Sequence, residues 1–154
     1  MARLNIITDN DPTLRKKSKE IKDITPRIIQ LLDDMVETMR HANGVGLAAP
    51  QVGVLRRAIV VECEEGVVYK LVNPEIVSSD GTQKGPEGCL SVPGKSGIVE
   101  RPNHVIVSAL NENGESIQVE GYELLARCLC HEIDHLNGIL YTDKAEEMEN
   151  DAEE

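Results

Sequence analysis

Residues 131–135 read His-Glu-Ile-Asp-His. On a helix, side chains four residues apart lie one turn apart on one face, so both imidazoles can reach a single metal ion. Glu132, beside the first histidine, can contact a water on that metal without binding the metal itself. The spacing therefore predicts a hydrolytic metal site built on one turn of helix. The plain alternative is a helix end, with His135 answering the helix dipole. Ile133 is expected in the core. Asp134 is expected at the surface or as an acceptor for an imidazole N–H.

A catalytic site of this kind needs a third protein ligand and one open position. The metzincin continuation fails, because Gly138 fits its pattern but Tyr141 stands where its third histidine should be. An acid from Glu146–Glu154 would need a further helix to hold it, and no helical pattern is visible there. His41 falls on the first helix, where the dipole gives it a structural role, and His104 falls in a β run. Cys128 lies near the right helix face but about 10 Å along the axis from His135, so it reads as pocket wall or core. Cys130 is turned away and reads as packing. Cys63 ends a β run and reads as a buried thiol. Cys89 stands among turn formers, in Pro86-Glu87-Gly88-Cys89-Leu90-Ser91. A polarizable thiol in such a segment can be a ligand, a nucleophile or a core residue.

The elements that must position these residues follow from periodicity and turn signals. A helix is predicted from about Thr25 to Ala42, with Thr25 as cap, Pro26 in the first turn and Asn43-Gly44 as the stop. Ile28, Ile29, Leu32, Met35, Val36 and Met39 give it one apolar face. Residues 44–54, GVGLAAPQVGV, are too glycine-rich for a regular element, and are expected as an apolar loop lying against something else. Strands are predicted at Ala58–Cys63, Val67–Asn73 and Glu75–Ser79, the last two separated by Pro74. Ser79–Gly97 reads as turn-rich. His104–Asn111 and Ser116–Glu120 form a hairpin around Asn113-Gly114. The second helix runs from about Tyr122 to Leu136 and ends at Asn137-Gly138. The fold class is α+β: short antiparallel strands and sheets around a central metal-binding helix, with an N-terminal helix.

The chain has 154 residues, enough for one domain with a real core. Aromatic residues are only 2%, with no Phe or Trp, so the core must be aliphatic. The formal net charge of −11 argues against direct binding to nucleic acid or an anionic membrane. Six acids fall in residues 145–154, leaving −5 for residues 1–144. The expected organisation is a single catalytic domain, 1–144, and a disordered, solvated acidic tail, 145–154. No run of residues is apolar enough for a membrane span, and the first twenty lack a secretory apolar core. A cytoplasmic location is expected, with the four cysteines as free thiols or metal ligands.

Three segments in order, GVGLAAPQ at 44–51, EGCLS at 87–91 and HEIDH at 131–135, resemble the three motifs of the peptide deformylase family. The resemblance spans roughly residues 5–143 and includes DNDPTLRKKS at 9–18. It implies that Cys89, His131 and His135 hold one divalent metal with water in the fourth position. It implies Glu132 as general acid/base, and Gln51 with the Leu90 N–H as the oxyanion hole. Gly46 would offer backbone hydrogen bonds to substrate, and Val45, Leu124 and Cys128 would wall the methionine pocket. Glu87 would hold the cysteine segment. The implied reaction removes the formyl group from N-formylmethionine of new peptides and releases formate, by attack of metal-bound water on the formyl carbon. The family typically uses Fe(II), and a soft sulfur ligand would also tolerate zinc, nickel or cobalt.

The partners expected are N-formylmethionyl peptides. Some bacterial members dock on the ribosome through a basic C-terminal helix. This chain ends in acids instead, so only a transient ribosome encounter is expected. Two other functions compete. One is a small metallopeptidase using the same helix on internal amides. The other is a non-catalytic metal-stabilised module, which needs a fourth protein ligand such as Cys128 or Cys130.

Overall fold

A computed structural model describes residues 2–150. Helix α1 spans Pro26–His41, with the Thr25 hydroxyl accepting the Ile28 N–H as its cap. Asn43, at φ +60°, turns the chain out of it. Eight strands follow: β1 (Gly46–Ala48), β2 (Ala58–Glu64), β3 (Val67–Asp80), β4 (Gln83–Cys89), β5 (Val92–Arg101), β6 (His104–Leu110), β7 (Ser116–Tyr122) and β8 (Glu147–Asn150). Helix α2, Leu124–Leu136, lies between β7 and β8 in sequence.

The strands make two antiparallel sheets, ordered β1-β2-β3-β6-β7 and β4-β5-β8. The larger sheet is covered on both faces. Ile59 and Val61 join Val105, Val107 and Val119 against Ala126, Leu129 and Ile133 of α2. Ala58 and Val60 join Leu32, Met35, Val36 and Met39 of α1 on the other face. This explains why β2 is continuously apolar at Ala58–Val61, since strands covered on both faces do not alternate. β6, by contrast, alternates, burying Val105, Val107 and Ala109 toward α2. At Gly121 the helix comes so close that an added Cβ would sit 3.0 Å from Leu125 Cγ and 3.2 Å from the Ala126 nitrogen. In the smaller sheet, Val92 and Val99 pack on Tyr141 of the 3-10 turn Tyr141–Asp143, and the Tyr141 ring stacks with His131 of α2.

The α+β class holds, as do α1 and the β6–β7 hairpin at Gly114. Several expectations do not. The apolar loop is strand β1, paired to β2 at Gly46↔Val61, followed by a 3-10 turn over Ala49–Val52. Pro74 does not split β3, because Asn73 at φ +52° forms a bulge there. The Asn73 side chain then accepts the Ile21 N–H and donates to the Ile21 carbonyl, tying down the N-terminal segment. The turn-rich Ser79–Gly97 is mostly the β4–β5 hairpin. Tyr122 ends β7, and α2 begins only after Glu123, which turns the corner at φ +54°. The disordered tail expected from residue 145 is corrected at 147–150, which pair with β5 at Ile98↔Glu147 through Lys95↔Asn150. Residues 151–154 of that tail lie outside the described residues.

Leu129 is fully buried between α2 and the larger sheet. Leu129→Ala is expected to destabilise the fold by about 2–5 kcal/mol. Urea unfolding followed by circular dichroism reads this, since the chain has no Trp. An unchanged midpoint would contradict the packing.

Candidate active site and metal centre

His131 and His135 project from the C-terminal half of α2, one turn apart, with Nε2 atoms 3.3 Å apart. Cys89, at the end of β4, brings its sulfur 3.3 Å from His135 Nε2. The three donor atoms all lie within 4.8 Å of one another. A tetrahedral ion bound at ordinary Zn–N and Zn–S lengths would need donor separations of about 3.3–3.6 Å. The nitrogen–nitrogen and sulfur–nitrogen edges at His135, both 3.3 Å, are close to that range, so these residues fit a divalent cation. Of the other sequence candidates for a third ligand, His41 is bonded to Arg3, and His104 sits between Asp80 and Glu120. Glu146 pairs with Lys84.

Glu87 holds the centre together. Its carboxylate is buried and accepts from Arg101 Nε (2.8 Å) and a second Arg101 nitrogen (2.9 Å), and from Arg127 (2.6 Å) and His131 Nδ1 (2.9 Å). Burial alone would raise the Glu87 pKa, but the hydrogen bonds from Arg101 and His131 outweigh it and hold it at about 2. An ionised carboxylate only accepts, so His131 Nδ1 must donate, which leaves Nε2 to face Cys89 and His135. Arg101 also reaches Asp134 at 2.7 Å, and Lys144 joins Asp134 at 3.1 Å. Asp134 is therefore partnered by cations, where the sequence offered a surface position or an imidazole N–H.

Glu132 is buried with one carboxylate oxygen unpartnered. Burial pushes this carboxyl up to about 7. The space it occupies exists because residue 46 is Gly: a Cβ there would collide with Glu132 Oε2. Burial opposes a charge on His131, yet Cys89, Glu132 and Glu87 together push it up to about 10. Burial and the His131 charge hold His135 well below its ordinary value. The same negative surroundings that favour a proton on His131 would favour a metal cation.

Gln51 is fixed from both ends. Its Oε1 accepts the Ala48 N–H at 2.9 Å, and its Nε2 donates to Ser91 Oγ at 3.0 Å and toward Cys89 sulfur at 3.5 Å. The Ser91 N–H also points at that sulfur, 3.4 Å away. A cavity of about 460 Å³ opens here. Gly46, Gln51, Cys89, Leu90, His131 and Glu132 line it, while His135 lies beneath. Val45, Leu124 and Cys128 line it too, but Val45 and Leu124 are exposed at its rim and only Cys128 is buried wall. Among the described residues that line it, His131 is the only aromatic ring.

Arg101, Arg127 and Ser91 were not singled out by the sequence reading. A signal existed for Arg127, a lone charge inside the apolar run LLARCLC of α2. Its guanidinium also donates to the Val99 and Gly85 carbonyls, at 3.2 and 3.4 Å.

The family profile of polypeptide deformylases matches residues 3–151. A peptide deformylase of Alkaliphilus metalliredigens is 60% identical over 144 residues, covering 94% of this chain and 97% of that one. One from Agathobacter rectalis is 54% identical, covering 95% and 92%. The crystal structure of a peptide deformylase from Legionella pneumophila superposes with a TM-score of 0.90 at 44% identity, covering 93% of this chain and 86% of that one. Such matches define a small α+β hydrolase. The chain belongs to the polypeptide deformylase family, metalloenzymes that take the N-formyl group from new peptides. Among the described residues no helix is long and apolar enough to cross a membrane.

Replacing Glu87 by Gln removes the charge that fixes His131 and balances two buried arginines. Metal affinity is expected to fall about 10–100-fold. Competition against a chromophoric chelator measures it, and an unchanged affinity would show that Glu87 does not orient the ligand.

Proposed function

We propose that the chain hydrolyses the formyl amide of N-formylmethionyl peptides and releases formate, with one divalent cation held by Cys89, His131 and His135. The observation that supports this most is the unpartnered, buried Glu132 oxygen beside the cation triangle, on a cavity that Gln51 also lines. Bound there, the ion would supply a Lewis acid and make a water acidic near neutral pH.

Glu132 takes the proton of the attacking water and later delivers it to the leaving amine nitrogen. Attack at the formyl carbon puts negative charge on its oxygen. Gln51 Nε2 and the Leu90 N–H are assigned to that oxygen, and the bonds from Ala48 and to Ser91 keep the Gln51 amide from turning away. The backbone of Gly46 pairs with the peptide. Val45, Leu124 and Cys128 take the methionine side chain, an aliphatic and sulfur-lined pocket in a chain without Phe or Trp. A formyl hydrogen leaves room where an acetyl methyl would not fit.

Iron(II) is the ion assigned in the cell, with zinc, nickel or cobalt able to replace it at a mixed sulfur and imidazole site. The catalytic unit includes β8, since residues 147–150 complete the smaller sheet, and it works in the cytoplasm on peptides met by diffusion or in a transient ribosome encounter. The −11 charge opposes direct nucleic-acid contact.

Formate release from formyl-Met-Ala-Ser, with acetyl-Met-Ala-Ser as control, tests the reading. Turnover of the first alone is expected, and cleavage of internal amides would favour a peptidase. Glu132→Gln should lower kcat by about 10²–10⁴-fold while metal analysis still finds one ion per chain. Activity retained in that variant would remove Glu132 from the mechanism.

A further inference from the structure

β2 carries Ile59, Val61 and Cys63 at alternate positions, and the first two face α2 in the main core. Cys63 packs on the same cluster, at the bulge that shifts the β2–β3 register between Val61 and Glu64. Its sulfur lies 4.0 Å from the Leu124 carbonyl, in the first turn of α2. One turn on, Cys128 lies in the same cluster, and its thiol is the strongest influence on that of Cys63. Cys63 is half-buried and Cys128 is buried, and Cys128 is also the inner wall of the cavity. The pair therefore joins the protein surface to the cavity through two sulfur atoms.

We propose that Cys63 and Cys128 are an oxidation site: hydrogen peroxide converts the two thiols to an intramolecular disulfide that ties β2 to α2 behind the cavity. The Cys63 thiolate attacks one peroxide oxygen, giving a sulfenic acid and hydroxide. Cys128 sulfur then attacks the sulfenic sulfur, forming the S–S bond, and its proton with the departing hydroxide makes a second water. Two thiols lose two electrons, and one peroxide becomes two waters.

The order of attack follows from the environment. The hydrogen bond from Cys128 lowers the Cys63 pKa, which favours the thiolate on the accessible partner. The same bond and burial raise Cys128, which keeps it protonated as the resolving thiol. Cys130, pushed up to about 11 by burial, lies in the core, and Cys89 belongs to the metal cluster. Closing the disulfide to about 2.05 Å draws the Cys128 sulfur toward β2 and so reshapes the cavity wall.

The test uses the zinc-loaded protein, in which the metal has no redox chemistry of its own, treated with hydrogen peroxide. Peptide mapping without reductant is expected to find Cys63 joined to Cys128 with the zinc retained, and thiols counted after denaturation and zinc removal should fall from four to two. Cys63→Ser should abolish the cross-link. Differential alkylation of the unmutated protein gives the same answer without the variant: both thiols should become blocked together. Cys63 over-oxidised while Cys128 still alkylates, or Cys89 oxidised first with loss of zinc, would overturn the proposal. A kinetic readout rests on the deformylase reading, whereas the mapping does not. KM for formyl-Met-Ala-Ser should rise several-fold on cross-linking and recover with dithiothreitol. An unchanged KM in fully cross-linked, active protein would overturn the link between this pair and the cavity.

Discussion

A carboxylate buried beside α2 sets the terms for the rest of the molecule. Glu87 is nearly sealed from water, as are Arg101 and Arg127, which neutralise it. Breaking a buried ion pair by removing one partner typically costs about 3–5 kcal/mol, because the other charge is left uncompensated. The two strands and the helix that supply these groups are therefore locked in mutual register. Glu87 comes from β4, Arg101 from the end of β5, and Arg127 and His131 from α2. The smaller sheet is fixed on the helix largely by charge, since its apolar cluster of Val92, Val99 and Tyr141 contains no residue of α2.

That lock places Cys89. The thiol sits two residues beyond Glu87, so fixing the carboxylate against His131 brings the sulfur to His135. The opposite wall is placed independently. β1 pairs with β2 in the larger sheet, and the 3-10 turn after it presents Gln51 to Ser91 and Cys89. The absence of a side chain at Gly46 then leaves the volume in which the Glu132 carboxylate stands. Two sheets that share no strand thus meet across one helix, and the cavity is the seam between them.

How much of this was legible depended on how local each signal was. The cap at Thr25, the Asn113-Gly114 turn and the two histidines four apart are short-range patterns, and all three stand in the structure. The β4–β5 hairpin was hidden because its Gly, Pro and Ser residues carry turn propensity, while its strand geometry comes from pairing between distant residues. Pro74 reads as a break, yet the Asn73 bulge absorbs it. β8 is acidic and reads as solvated tail, and only the free edge of β5 explains its pairing. The convergence of Cys89 on the helix was carried by family resemblance. Spacing alone left Cys89 among several candidates. The pairing of Arg101 with both Glu87 and Asp134 had no sequence signal, since ion-pair partners far apart in the chain leave no periodic trace.

One sulfur and two imidazole nitrogens lie within 4.8 Å of one another, and the proposed reaction needs them to share a single cation with one position left open. X-ray absorption at the metal edge of the anaerobically purified protein tests it most directly. One sulfur and two nitrogen scatterers with a further light oxygen atom are the expected shell. A shell without sulfur, or one closed by a second sulfur from Cys128 or Cys130, would contradict the account.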